Sequence, residues 1–125
     1  MTPTILIADD EAHLRMLIRQ TLEELEDEGV SLLTASNGEE ALATIESMKP
    51  NLVFLDVMMP KLSGFDVCSR AKQALGLGGV YIVLLTAKGQ EFDRQRGQEV
   101  GADLYMTKPF DPDALLQKAR DVLGM

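Results

Sequence analysis

The stretch Asn51-Leu52-Val53-Phe54-Leu55-Asp56-Val57-Met58-Met59-Pro60 decides how the remaining residues are read. Leu52 to Leu55 is a short apolar run without polar alternation, which suits a strand covered on both faces in a parallel sheet. Asp56 then stands at the C-terminal end of that strand. In open α/β sheets ligands bind just outside those ends, near the point where strand order reverses, so a carboxylate there faces a crevice while held on rigid structure. An Asp ahead of a Pro- and Gly-containing segment also simply opens turns. What favours a reactive role is that other strands end in a similar way.

Working outward, Thr4 to Ala8 is a second short apolar run, and it finishes on Asp9-Asp10-Glu11. Leu14, Leu17, Ile18, Leu22 and Leu25 then recur at helical spacing, and Gly29 supplies a stop, which predicts one amphipathic first helix. Val30 to Ala35 reads as a strand. Asn37 with Glu40 looks like a capping box opening a helix whose core face is Ala41, Leu42, Ile45 and Met48, closed by Pro50. Beyond the central strand, Ser63 with Asp66 starts a third helix carrying Phe65, Cys68 and Ala71. Val80 to Leu85 is rich in β-branched and apolar residues and leads to Thr86 and Ala87. A helix over 90–100 is thinly apolar, with Phe92 and Val100 only, and should be the most weakly packed. A short strand over 103–107 ends on Lys108-Pro109, and Asp111-Pro112 caps a last helix with Leu115, Leu116, Ala119, Val122 and Leu123 on its core face.

Five strands and five helices in strict alternation predict a single doubly wound parallel sheet of the α/β class, with helices on both faces. At 125 residues and 46% hydrophobic, the chain suits one domain over 1–125. The formal charge of -8 argues against nucleic-acid binding by this segment, since affinity for phosphate backbones comes mostly from Lys and Arg. One cysteine excludes an internal disulfide, and no run is long enough to span a bilayer, so a cytoplasmic location is the expectation.

Side by side, the strand ends bring together Asp9, Asp10 and Asp56 as acids, Thr86 as a hydroxyl and Lys108 as an ammonium. Three crowded carboxylates need more positive charge than one lysine supplies. An open, all-oxygen cluster with few ligands matches the way Mg²⁺ is held; Ca²⁺ fits less well without EF-hand spacing, and zinc lacks Cys or paired His ligands. With a metal present, Asp56 can act as a nucleophile toward a phosphoryl group. Lys108, the Thr86 hydroxyl and the Ala87 backbone N–H would contact its oxygens.

Through Asp9-Asp10, Asp56-Val57-Met58-Met59-Pro60 with Gly64, Thr86-Ala87, and Gly101-Ala102-Asp103 running to Lys108-Pro109-Phe110, nearly the whole chain resembles the receiver domain of bacterial two-component response regulators. The resemblance implies a flavodoxin-like sheet of order 2-1-3-4-5. It further implies phosphorylation of Asp56 by a sensor histidine kinase or phosphotransfer protein, with Mg²⁺ held by Asp9, Asp10, Asp56 and the main-chain carbonyl of Met58. By the same resemblance Lys108 contacts the phosphoryl group, the Lys108–Pro109 bond is cis, and Thr86 with Tyr105 forms a switch. That switch repacks the surface of the fourth helix, fifth strand and fifth helix, where a downstream effector or a detached output domain docks. Leu104, Gln95, Arg96 and Gln98 depart from the pattern of regulators that dimerise through this surface, so a monomer signalling to a separate protein is expected.

Three other readings use the same residues. An Asp-nucleophile phosphatase would want a second acid two residues after the nucleophile, where Met58 stands. A nucleotide-binding module would want a first loop rich in Gly and hydroxyls. A pseudo-receiver would never take phosphate, and the presence of Asp56, Thr86 and Lys108 speaks against it. His13 reads as a lone surface histidine, Cys68 as a small core residue, and Glu23 to Glu28 as a solvated acidic helix end.

Overall fold

The computed structural model describes residues 2–87 and 91–125, with the side chains of 87 and 91–94 left out of the description. Its strands are β1 (Thr4–Ala8), β2 (Ser31–Ala35), β3 (Leu52–Asp56), β4 (Tyr81–Ala87) and β5 (Leu104–Lys108). They form one parallel sheet of order β2-β1-β3-β4-β5. Every residue of β3 is buried, as an unbroken apolar run in a sheet covered on both faces requires. Alternation sends Leu6, Ala8, Val53, Leu55, Ile82 and Leu84 into one core, and Ile5, Ile7, Leu52, Phe54, Val83 and Leu85 into the other.

Helices α1 (Ala12–Thr21), α2 (Glu23–Asp27) and α6 (Pro112–Leu123) cover the second face, through Ile18, Leu22, Leu25, Leu115 and Ala119. Helices α3 (Gly38–Met48), α4 (Gly64–Ser69) and α5 (Glu91–Glu99) cover the first. The described helices number six, against the five expected, because the first is interrupted at Leu22 (φ -97°, ψ 6°). The Thr21 hydroxyl donates to the Leu17 carbonyl at 2.9 Å, a back-bond that bends helices. Tighter i to i−3 bonds around Leu22 let Leu22 and Leu25 both reach the core, while Leu17, expected there, is exposed. Met48, also expected in the core, is exposed as well. The acidic run is only partly solvated. Arg120 of α6 donates to Glu24 at 2.6 Å and to Glu28 at 2.7 Å, tying α6 to α2.

Side-chain caps stand at three further helix starts. The Asn37 side chain accepts from the Glu40 N–H at 2.8 Å, that of Ser63 from Asp66 at 3.1 Å, and that of Asp111 from Asp113 at 3.0 Å. The Asn37 box is not reciprocal, because the Glu40 carboxylate accepts from Ser36 instead. Directly after α4 the chain makes a π-helical turn, Arg70–Ala74, in which the Leu75 N–H bonds to the Arg70 carbonyl at 2.8 Å. Its Lys72 pairs with Asp103 at 2.7 Å, and Asp103 also accepts from the Ile82 N–H at 2.8 Å. Asp103 thus fixes the start of β5 against β4.

Gly64 is required by proximity. Its N–H donates to the Val57 carbonyl at 2.9 Å, and a Cβ there would run into the Asp56 carbonyl oxygen and lie 2.9 Å from the Val57 Cα. Backbone atoms cannot swing aside as a flexible side chain can. Gly64→Ala should therefore lower stability by about 2–3 kcal/mol, read as a shift in the urea midpoint. An unchanged midpoint would show that this loop yields freely.

Candidate functional site

The C-terminal edge of the sheet gathers the expected site residues. Ala8 of β1 lies opposite Leu55 of β3, so Asp9 and Asp56 emerge side by side, and Asp56 lies opposite Leu85. One step further, Thr86 lies opposite Thr107, and Ala87 opposite Lys108. Thr86 and Ala87 are the last residues of β4, where the sequence pattern placed them just beyond it. Asp9, Asp10 and Asp56 each offer a carboxylate oxygen, and these oxygens lie within 4.8 Å of one another. The Lys108 ammonium is 3.0 Å from Asp9 Oδ2 and 3.2 Å from Asp56 Oδ1.

Asp9 and Asp56 are buried and Asp10 is exposed. Asp9 Oδ1 accepts from the Glu11 N–H at 2.9 Å, and the Asp9 carbonyl accepts from Arg15 at 2.6 Å. Asp9 is thereby the anchored acid, and Asp10 is the one presented to solvent. Burial, followed by the negative charge of Asp9, pushes the Asp56 carboxyl up to about 6, against the opposing pull of Lys108 and of the Met58 N–H. Burial draws Lys108 downward, yet its hydrogen bond to Asp9 and the charges of Asp56 and Asp9 outweigh it, so its net shift is upward. Asp56 is held in an environment that resists its own charge. Hard oxygen donors in a small, partly open cluster of this kind fit a divalent cation such as Mg²⁺, which keeps several waters and takes one or two carboxylates.

On the face of the sheet that α5 covers, Tyr105 packs beside Leu84, and alternation along the strands puts Thr86 on that same face. A cleft of about 340 Å³ opens beside Tyr105, lined by Gly97, Gln98, Ala102, Asp103 and Leu104. Gly97 lets α5 approach closely: a Cβ there would come within 3.2 Å of Leu84 and 3.6 Å of Tyr105. The Arg96 guanidinium lies 4.8 Å from the centre of the Phe65 ring, a cation–π contact from α5 to α4. Nothing in the sequence pattern singled out that pair. The Lys108–Pro109 peptide is cis. His13 is exposed, 3.3 Å from Glu11, and Cys68 is buried with its thiol pushed up to about 11 by burial. The first residue of the helix expected over 90–100 and the Phe92 side chain lie outside the described residues.

The family model for the response regulator receiver domain matches residues 5–120. The chain belongs to the response regulator receiver domain family. The receiver is 44% identical over 123 residues to the alkaline phosphatase synthesis transcriptional regulatory protein PhoP of Bacillus subtilis, covering 98% of this chain and 49% of PhoP. It is 43% identical over 120 residues to the phosphate regulon transcriptional regulatory protein PhoB of Pseudomonas aeruginosa, covering 96% of this chain and 51% of PhoB. Among solved structures, the chemotaxis protein CheY4 of Vibrio cholerae superposes on the receiver with a TM-score of 0.83 at 30% identity, covering 98% of this chain and 99% of CheY4. The receiver thus spans about half the length of the two curated relatives. Among the described residues no helix is long and apolar enough to cross a membrane.

Proposed function

We propose that this receiver is a phosphoacceptor signalling domain in which Asp56 takes a phosphoryl group from a sensor histidine kinase or phosphotransfer protein in a Mg²⁺-dependent step. The observation that carries this reading is the meeting of Asp56 with two further acids and one lysine at a single sheet edge. An Asp56 oxygen attacks phosphorus, the bond from phosphorus to the donor breaks, and the donor leaves with the bonding pair. Asp56 must be ionised to attack, which its environment resists, so cationic neighbours are needed at that moment. Lys108 is one, within reach of both buried acids. Asp9, Asp10, Asp56 and the Met58 carbonyl would hold Mg²⁺, which when bound supplies the remaining positive charge for the acids and the incoming phosphoryl oxygens.

The Thr86 hydroxyl and the Ala87 N–H would donate to the phosphoryl group. Thr86 shares a face of the sheet with Tyr105, so movement of the hydroxyl toward phosphate frees space into which Tyr105 turns. The surface of α5, β5 and α6 is then biased toward a second arrangement that an effector protein or an output domain reads. This receiver does not itself bind nucleic acid; its charge of -8 repels a phosphate backbone. Incubation with acetyl phosphate should add one phosphoryl mass with Mg²⁺ and none without it, and Asp56→Asn should add none in either case. Equal uptake by the variant would reject Asp56 as the acceptor, and repeated turnover of a phosphomonoester would point to a phosphatase.

A further inference from the structure

Met58 is the most exposed large apolar side chain among the described residues, at 74%. It sits two residues past Asp56, and its N–H points at Asp56 Oδ1, 3.4 Å away. The next residue, Met59, is buried at 9%, so the loop turns one thioether inward and leaves the other in water. The sole cysteine is buried with its thiol pushed up to about 11, which leaves little thiolate to react with an oxidant. A thioether needs no ionisation to be oxidised. Met16, Met48 and Met125 are also exposed, but they lie on α1, at the end of α3 and after α6, none of them in the loop that follows Asp56.

We propose that Met58 is a reversible oxidation site through which peroxide sets the lifetime of the phosphorylated receiver. The proposal rests on Asp56 being the phosphoacceptor. Peroxide transfers one oxygen to the Met58 sulfur; the thioether is oxidised by two electrons and the peroxide is reduced to water. The product replaces an apolar, weakly accepting group with a polar sulfoxide at the mouth of the site. A sulfoxide oxygen accepts hydrogen bonds from water, so it holds water beside the acyl phosphate where a thioether does not. Hydrolysis should quicken. Sulfoxide reductases reverse the change, so the slower rate can be restored.

The test is to treat the whole chain with hydrogen peroxide, remove the oxidant, load with acetyl phosphate and Mg²⁺, and follow loss of phosphate by intact mass. Peptide mapping locates the added oxygen. Met58 should oxidise well before Met59, and phosphate should be lost several-fold faster than from untreated protein. Reduction by methionine sulfoxide reductase should restore the slower rate. Met58→Leu should lose phosphate at one rate before and after peroxide, whatever that rate is, while Met16→Leu should keep the full response. Resistance of Met58 to peroxide, an unchanged or slower loss after its oxidation, or an acceleration that survives in Met58→Leu would each overturn the proposal. Failure of untreated protein to take up phosphate would instead remove the acceptor reading, and this proposal with it.

Discussion

Asp56→Asn should unfold at a higher urea concentration than the unsubstituted chain at pH 7 without divalent ions. The neutral amide avoids both the cost of burying a charge and the repulsion from Asp9, the two causes that raise the Asp56 carboxyl from its ordinary 3.8 to about 6. A displacement of that size corresponds to about 3 kcal/mol, and screening by water beside exposed Asp10 brings the expected gain to about 2 kcal/mol. The pH dependence follows from the direction. With its folded value raised, Asp56 binds more protons in the folded state than in the unfolded one between about pH 4 and 6. Its destabilising effect is absent below that window, grows as pH rises through it, and is complete above it. The advantage of the variant should therefore be largest at pH 7 and small at pH 4. Millimolar Mg²⁺ should reverse the order, stabilising the unsubstituted chain by binding only its folded state. An unsubstituted chain at least as stable as Asp56→Asn at pH 7 without metal would refute this account of the site's electrostatics.

Lys108→Ala should act in the opposite direction. One ammonium serves Asp9 at 3.0 Å and Asp56 at 3.2 Å, so its loss strands two buried carboxylates. Removing one partner of a buried ionic group costs about 3–5 kcal/mol, and partial exposure of Lys108 places the expected loss near about 3 kcal/mol. In an Asp56→Asn background the same substitution should cost clearly less, because only Asp9 is left without a cation. A double-mutant cycle of unfolding free energies measures the difference. Equal costs in the two backgrounds would mean that Lys108 and Asp56 do not interact appreciably.

How far the sequence carries depends on whether a feature is local. The strand cores are legible because an apolar run of four or five residues leaves few alternatives in an α/β chain, and the caps at Asn37, Ser63 and Asp111 are legible because donor and acceptor lie within three residues. The break at Leu22 is not, since periodicity alone continues from Leu14 to Leu25, and only the Thr21 back-bond and the demands of the core interrupt it. The π-helical turn after α4 leaves no trace in composition. In the site, the acids and lysine are legible as strand-end residues, but the division of labour between Asp9 and Asp10 is not. Burial of Asp9 depends on Lys108 and on the Glu11 N–H, which spacing along the chain cannot show. The contact of Arg96 with Phe65 and that of Lys72 with Asp103 join segments about thirty residues apart and are visible only once the helices are in place.

The ammonium that holds the acidic cluster comes 99 residues after Asp9. Until β5 pairs with β4, the three acids have no Lys108 beside them. The electrostatics of the cluster are therefore completed by the pairing of β5 with β4, the strand contact that lies farthest along the chain from Asp9.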